Sequence, residues 1–291
     1  EEIICEPKAY LNELMMDDNS GQPSAKEVFD TTPYTILVVD DNPDMTDFLK
    51  RTFEGYFKRI IIAGDGVEAL QLVRSHVPDI IVSDVMMPRM NGYKLCKTIK
   101  EDINISHIPV ILLTARDDRQ SQISGYKNGA DGYLSKPFEV EMLMELIRNR
   151  LKNREYTKKR YLNAGLIPTP EESTISLTDE TFLIKLNSII QENIENSNLG
   201  IQFICQEVGL GRSSLYNKLK ALTGMGANEY ISKLRIEKAI TLISGTDMPF
   251  SEIAEKTGFT TPSYFSTAFK QYTGETPSQY KERKKKGLAG K

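Results

Sequence analysis

The chain has 291 residues, of which 40% are hydrophobic and 26% are charged, a composition that predicts about two globular domains. No apolar run reaches the roughly 18 residues that a membrane-spanning helix needs. The net charge of −3 is unevenly distributed, because residues 175–291 hold 15 Lys and Arg against 12 Asp and Glu, whereas the preceding residues hold 22 against 28. This split predicts an acidic site in the front half and a polyanionic partner for the back half.

The ends and the cysteines of the chain give two further expectations. Cys5, Cys96 and Cys205 are odd in number and far apart, which favours a reducing, cytoplasmic compartment over a disulfide framework. The sequence starts at Glu1 without a methionine or a signal-peptide pattern, so we expect a piece of a longer protein. Any membrane anchor of that longer protein would lie upstream.

The front half alternates strand-like and helical patterns. Residues 1–33 lack sustained periodicity and are interpreted as a linker. Five apolar runs then predict strands, at Ile36–Val39, Arg59–Ala63, Ile80–Ser83, Val110–Thr114 and Gly132–Ser135. With helices between them, they predict an α/β domain over residues 34–152 with a doubly wound five-stranded parallel sheet. Its last helix is expected over residues 139–152, and residues 153–180, rich in charge and then in proline, are interpreted as a second linker.

The back half loses the strand signal and predicts an all-α domain over residues 181–286 with a short tail at 287–291. A loose repeat relates "QFICQEVGL" and "SSLY" to "FSEIAEKTGF" and "PSYF", with Gly209 and Gly258 at the two junctions. A repeated helix, glycine-containing turn and second helix indicate two helix-turn-helix units.

Polar side chains lie at the ends of four strands of the predicted sheet. Asp40 and Asp41 come after the first strand, Asp84 after the third and Lys136 after the fifth, while Thr114 is the last residue of the fourth. Parallel strand ends share one crevice, and crowded carboxylates there favour a bound Mg²⁺. A carboxylate beside the ion can attack a phosphoryl group, while an ammonium and a hydroxyl stabilise the transferred oxygens.

Two plainer interpretations compete with this site. A single aspartate at a strand end is usually a helix cap, but a full set at successive strand ends is much harder to obtain by chance. A phosphatase of related α/β architecture would also hold Mg²⁺ among acids. Its second catalytic acid is expected two residues after Asp84, where this chain has Met86, which argues against an enzyme of that kind.

The segments "ILVVDDNPDM", "DIIVSDVMMPRMNGYKLC", "IPVILLTAR" and "GADGYLSKPF" resemble the receiver family of response regulators, which has a flavodoxin-like fold. The resemblance covers residues 34–152 and fills every matched position. It implies that Asp84 is the phosphoacceptor, that Asp40, Asp41 and Asp84 hold Mg²⁺ with the backbone carbonyl of Met86, that Thr114 and Lys136 sense the phosphate, and that Tyr133 is the switch aromatic.

Each helix-turn-helix unit needs polar or basic residues on the outer face of its second helix. In the first unit Ser213 is the expected N-cap of a helix over residues 214–223, whose Leu215, Leu219 and Leu222 form the apolar face. The DNA-contacting candidates of this unit are Arg212, Ser213, Ser214, Asn217 and Lys218. Those of the second unit are Thr261, Ser263, Ser266, Thr267 and Lys270.

The segments "LGRSSLYNKLKALTGM", "ISKLRIEKAITLI" and "FSEIAEKTGFTTPSYFSTAFKQYTGETPSQYKE" resemble the AraC/XylS-type DNA-binding domain over residues 181–286. This resemblance implies double-stranded DNA as a partner, RNA polymerase as a further one, and homodimers when the receiver is phosphorylated. The order of domains looks like the C-terminal half of a hybrid two-component protein whose upstream histidine kinase domain is the phosphodonor. A free-standing response regulator and a phosphorelay receiver stay open as alternatives. This segment itself is expected to have no enzymatic activity beyond receiver phosphorylation and dephosphorylation.

Overall fold

The computed structural model describes residues 29–115, 129–163 and 176–288. Elements are numbered in chain order within those ranges. The strands are β1 (Thr35–Val39), β2 (Arg59–Ala63), β3 (Ile80–Asp84), β4 (Val110–Ala115) and β5 (Gly132–Lys136). The helices are α1 (Pro43–Phe53), α2 (Gly66–His76), α3 (Gly92–Glu101), α4 (Val140–Asn163), α5 (Leu177–Glu192), α6 (Ile201–Val208), α7 (Arg212–Thr223), α8 (Ala227–Gly245), α9 (Phe250–Lys256), α10 (Pro262–Thr273) and α11 (Pro277–Leu288). The expected linker over residues 1–33 lies almost wholly outside the described residues.

The strands form one parallel sheet in the order β2-β1-β3-β4-β5, which confirms the predicted five-stranded doubly wound sheet. The three central strands are nearly continuous apolar runs, because both faces of a parallel sheet are covered. After β1 the chain continues to β2 at one edge of the sheet, whereas after β3 it continues to β4, toward the opposite edge. This reversal opens a crevice at the carboxyl ends of β1 and β3.

Two helix starts shape that crevice. Asn42 caps α1 by accepting a hydrogen bond from the Asp44 amide, with Pro43 in the first turn, so neither Asp40 nor Asp41 serves as the cap. Gly92 begins α3 directly against β3, where an added Cβ would lie 2.3 Å from the carbonyl oxygen of Asp84. Only glycine allows the helix to approach the strand so closely.

The helix after β5 is longer than predicted. It continues to Asn163, so the first part of the expected linker over residues 153–180 is helical. The added turns are held by tertiary contacts, since Arg154 pairs with Asp79 and Tyr161 is buried in the core of the first helix-turn-helix unit. The next described helix begins at Leu177, four residues before the domain start expected from sequence.

The C-terminal region is helical, as predicted, and contains two units. Helices α6 and α7 form the first with α5 packed on it, α9 and α10 form the second, and α8 joins them. Gly258 adopts a φ of 70°, and a Cβ at this position would lie 2.2 Å from the Ile194 carbonyl oxygen. The turn of the second unit therefore needs glycine. Across the described ranges, no helix is both long and apolar enough to cross a membrane.

Candidate functional site

The crevice at the carboxyl edge of the sheet holds a lysine between two aspartates. Lys136 Nζ, at the end of β5, lies 2.9 Å from Asp40 Oδ2 and 2.5 Å from Asp84 Oδ1. These residues lie at the carboxyl ends of β1, β3 and β5. Because β4 lies between β3 and β5, both contacts of Lys136 span the end of β4. We call Asp40, Asp84 and Lys136 the acidic crevice.

Burial and charge oppose each other in this crevice. Burial raises the pKa of Asp84, and the ammonium of Lys136 only partly offsets that effect. Burial lowers the pKa of Lys136, but the hydrogen bonds and charges of Asp84 and Asp40 outweigh it, so the pKa is raised overall. The lysine is therefore held as a cation between the two carboxylates.

Backbone amides orient the two carboxylates. The Met86 amide donates to Asp84 Oδ2 at 2.6 Å, and the Asn42 amide donates to Asp40 Oδ1 at 2.9 Å. The Met86 side chain itself is 72% exposed at the mouth of the crevice. Each carboxylate is thereby held in place by one amide and by Lys136.

Thr114 lies beside the crevice with an unsatisfied hydroxyl. The residue is 1% exposed near the end of β4, and its Oγ1 has no hydrogen-bond partner among the described residues. A buried hydroxyl without a partner is costly, and an additional acceptor in the crevice would remove that cost. Tyr133 lies on β5, which pairs with β4. Its side chain is half-buried and packs against the apolar core of the α/β domain.

The expected cluster of the Asp40, Asp41 and Asp84 carboxylates is not formed. Within the described ranges, no three His, Cys, Asp or Glu side chains lie close enough to hold a metal ion by themselves, and Asp41 is exposed beside Asp40. The donors that do converge are Asp40 and Asp84. This set fits Mg²⁺, which is commonly bound through one or two carboxylates and keeps several waters.

The outer face of α7 differs in part from the prediction. Arg212 and Ser213 are exposed, and Ser214 and Asn217 are half-buried. Arg212 Nη2 donates to Gln202 Oε1 at 2.9 Å across the turn. The predicted N-cap at Ser213 is wrong, because Gly211 occupies the cap position and α7 begins at Arg212.

Lys218 is not on the outer face. Its side chain is fully buried and forms an ion pair with Asp179, so its prediction as a DNA-contacting residue is wrong. The sequence did contain the relevant signal, since Lys218 lies three residues after Leu215 and four before Leu222, on the apolar stripe of the helix. Its charge suggested an exposed position, whereas its spacing indicated a buried one.

The second unit exposes all but one of its candidates. Thr261, Ser263, Thr267 and Lys270 are exposed on α10 or at its cap, and Ser266 is half-buried. Thr261 caps the helix by accepting from the Tyr264 amide at 3.2 Å. The hydroxyls of Ser266 and Thr267 donate to backbone carbonyls one turn earlier, so they have oxygen lone pairs to offer to a ligand.

Sequence reasoning missed one aromatic residue on each second helix. Tyr216 on α7 and Tyr264 on α10 are both 54% exposed. An exposed tyrosine combines a flat apolar ring with a polar hydroxyl, which suits contact with the sugars and base edges of a duplex. The signal in the sequence was the place of each tyrosine on the exposed side of its helix, among the basic and hydroxyl residues that were predicted.

The chain is similar to several known proteins and matches two family models. The family model of the response regulator receiver domain matches residues 36–148, and that of a helix-turn-helix domain matches residues 204–283. Histidine kinase P4 of Formosa agariphila is 41% identical over 86% of this chain, which spans 18% of that protein's length. Response regulator MprA of a Mycobacterium strain is 36% identical over 52% of this chain and 70% of MprA. A solved receiver domain of a Francisella response regulator is 38% identical, over 41% of this chain and 98% of its own, with a TM-score of 0.38.

The sheet, its acidic crevice and the paired helix-turn-helix units define a receiver-type α/β domain joined to a DNA-binding domain. The two matched ranges follow one another without overlap, in that order. The chain belongs to the response-regulator family of two-component systems, with a receiver domain followed by an AraC-type helix-turn-helix domain.

Proposed function

We propose that this protein is phosphorylated on Asp84 by a histidine kinase and, in response, binds specific DNA sites to regulate transcription. The observation that carries the proposal is the contact of Lys136 with both Asp84 and Asp40, since it places a cation where a phosphoryl group on Asp84 would develop negative charge.

The chemistry is a phosphoryl transfer between two side chains. A carboxylate oxygen of Asp84 attacks the phosphorus of a phosphohistidine, the bond from phosphorus to nitrogen breaks, and the electron pair stays on the imidazole. The product is an acyl phosphate on Asp84. Lys136 neutralises the new phosphoryl oxygens, and the unsatisfied hydroxyl of Thr114 donates a hydrogen bond to one of them.

A divalent ion is the remaining component of the site. Asp40 and Asp84 would hold Mg²⁺, with Asp41 and the Met86 carbonyl as the further ligands that the family resemblance implies. When bound, the ion supplies charge stabilisation at the transferred phosphoryl group. Asp41, which is exposed next to Asp40 in the chain, would complete the acidic side of the site.

The phosphorylated state differs from the free state at β4 and β5. Movement of Thr114 toward the phosphoryl group leaves space into which Tyr133 can turn, which changes the surface of the sheet edge. A phosphate that favours this arrangement shifts the population toward it, and we propose that the altered face promotes homodimers.

DNA recognition is assigned to the two second helices. Helix α8 joins the units, so that α7 and α10 can enter successive major-groove segments roughly 34 Å apart. Arg212, Ser213, Ser214 and Asn217 would read bases from α7. Thr261, Ser263, Ser266, Thr267 and Lys270 would mainly position α10 on the phosphates. A homodimer would then occupy two copies of an asymmetric site as a direct repeat.

The similarity to a histidine kinase over most of the chain supports a place at the output end of a hybrid protein. A free-standing response regulator is the second candidate, supported by the similarity to MprA, of which this chain covers 70%. A kinase domain encoded upstream in the same reading frame would favour the first, and a stop codon and promoter there would favour the second.

The test of Asp84 is covalent labelling. The protein is incubated with a small phosphodonor and Mg²⁺, and the modified residue is found by intact mass and peptide analysis. We expect one phosphoryl group on the wild type and on the control Asp47→Asn, which changes an exposed carboxylate on α1. Asp84→Asn should not be labelled, and undiminished labelling of that variant would refute the assignment.

A further inference from the structure

A fully buried polar network joins the receiver to the first helix-turn-helix unit. Lys218 Nζ donates to Ser106 Oγ at 2.7 Å, and Ser106 Oγ donates to Asp179 Oδ1 at 2.7 Å. Lys218 also contacts Asp179 directly. Ser106 and Lys218 are 0% exposed and Asp179 is 2% exposed, so these bonds are shielded from bulk solvent.

The two sides contribute unequally to this network. Asp179 on α5 and Lys218 on α7 both belong to the DNA-binding side, and the receiver supplies the neutral hydroxyl of Ser106, in the loop between α3 and β4. Burial alone would raise the pKa of Asp179, but the charge of Lys218 and the hydrogen bonds lower it overall. The ion pair therefore lies wholly on the DNA-binding side, whereas the bond to Ser106 spans the two domains.

Further contacts lie along the same boundary between the receiver and the first helix-turn-helix unit, which we call the seam. The Thr178 hydroxyl donates to the Lys100 carbonyl at 2.9 Å, joining the first turn of α5 to the last turn of α3. Ile103, in the loop after α3, packs against the core of the first helix-turn-helix unit, and Tyr161 of α4 is buried within that core. The receiver is thus held by its α3–β4 loop and by the end of α4.

Helix α3 connects this seam to the phosphoacceptor. At its start, the Gly92 amide donates to the Val85 carbonyl at 3.0 Å, and Gly92 touches the backbone of Asp84. At its end, the chain passes through Ile103 to Ser106. Because the apolar face of α3 is buried, a shift of its first turn on phosphorylation would move the helix as one body, together with the loop that carries Ser106.

The receiver packs against the C-terminal end of α7, away from the predicted DNA-contacting residues at its start. Leu162 and Lys158 of α4 lie against Gly224, at the C-terminal end of α7. At the N-terminal end, Arg212 and Tyr216 stay exposed. Because the first residues of a recognition helix are the ones that reach base edges, docking leaves the DNA-contacting surface accessible and fixes the direction of the helix.

We propose that Ser106, Asp179 and Lys218 are positioning residues that couple the receiver to the recognition helix α7, so that phosphorylation of Asp84 is transmitted through α3 and the Ser106 bond to the orientation of α7. This coupling rests on the proposed phosphorylation of Asp84. It gives Lys218 a role in the response and not in DNA contact.

The test is hydrogen exchange on the full chain, with and without beryllofluoride and Mg²⁺ as a mimic of the acyl phosphate. In the wild type, amide exchange should change in residues 84–106 and also in residues 212–223. For α7 we expect a change of about two- to tenfold, the equilibrium equivalent of one net hydrogen bond. Ser106→Ala should keep the receiver response and reduce that of α7 below about twofold. Ser75→Ala, at an exposed serine on α2, should behave as the wild type.

Two outcomes separate this coupling from the proposed function. A receiver that responds in the wild type while α7 does not would overturn the coupling alone. The same holds if α7 responds equally in Ser106→Ala and in the wild type. No response anywhere in the wild type would overturn the phosphorylation of Asp84, and the coupling with it.

Discussion

Lys136 Nζ lies 2.5 Å from Asp84 Oδ1, although the two residues end β5 and β3 and the end of β4 lies between those strands. The contact follows from the doubly wound topology, which gathers the strand ends at one edge. It joins the group that we propose to be phosphorylated to the cation that would receive the new charge. The titration of Asp84 therefore depends directly on Lys136.

Removing that cation should raise the pKa of Asp84 further. Burial already raises it, and Lys136 is the main group that opposes the effect. In Lys136→Ala the carboxylate, which is the nucleophile, forms only at higher pH, so the pH profile of phosphodonor labelling should shift upward. Lys136→Arg keeps the charge and serves as the control. Superimposable profiles of Lys136→Ala and the wild type would contradict this electrostatic role.

Removing one member of the buried pair of Lys218 and Asp179 should destabilise the protein strongly, whereas replacing both by apolar residues should destabilise it little. Lys218→Met leaves a buried carboxylate without its cation and should lower the unfolding free energy by about 3–5 kcal/mol. Adding Asp179→Leu should restore most of that stability, because apolar residues can substitute for a buried pair. Urea denaturation followed by circular dichroism measures both.

The control for that experiment is an exposed pair on α9. Lys256 and Glu252 are 4.0 Å apart and half exposed, so Lys256→Met should cost less than about 1 kcal/mol. Equal decreases in stability for Lys218→Met and Lys256→Met would show that the buried network does not contribute as the structure implies.

His107 should make the protein acid-sensitive. Burial, with the nearby charges of Arg154 and Lys218, lowers its pKa to about 3, so the folded state binds fewer protons than the unfolded state between about pH 6.5 and that value. Stability is lost as the pH falls through this window, by about 2 kcal/mol at pH 5. His107→Gln should remove this part of the pH dependence, whereas His76→Gln, at an exposed position, should retain it. Parallel stability curves for all three proteins would contradict the prediction.

Substitutions on α7 should affect the discrimination between DNA sequences, whereas substitutions of basic residues elsewhere should affect the affinity for all DNA. Arg212→Ala and Tyr216→Ala should each reduce discrimination between a selected duplex and random DNA by about 1–3 kcal/mol, the usual energy of one specific interaction with a base. Lys284→Ala, at an exposed position on α11, should weaken binding to both duplexes alike and lower the salt dependence by about one charge. Lys50→Ala, on the receiver, is the control. Fluorescence anisotropy across a salt series measures these effects, and a uniform decrease in affinity for every variant would refute the division.

The sequence was sufficient for the sheet and for most of the site. Asp40, Asp84, Thr114 and Lys136 were found because strand ends are local features and parallel topology determines where they meet. Lys218 was misplaced because its charge was given more weight than its place on the apolar stripe of α7, and because Asp179, the group that stabilises it there, comes from a distant segment of the chain. The packing of α4 against α7 explains why α4 extends to Asn163 through residues whose polarity resembled a linker.

The central claim is that phosphorylation of Asp84 controls DNA binding, and affinity measured with and without beryllofluoride tests it most directly. A duplex selected by the protein from random sequence is titrated with the full chain in the presence of Mg²⁺. Beryllofluoride is predicted to change the affinity of the wild type by about tenfold, a coupling of 1–3 kcal/mol being typical, and to leave Asp84→Asn unchanged. An identical affinity in both states of the wild type, or an equal change in Asp84→Asn, would contradict it.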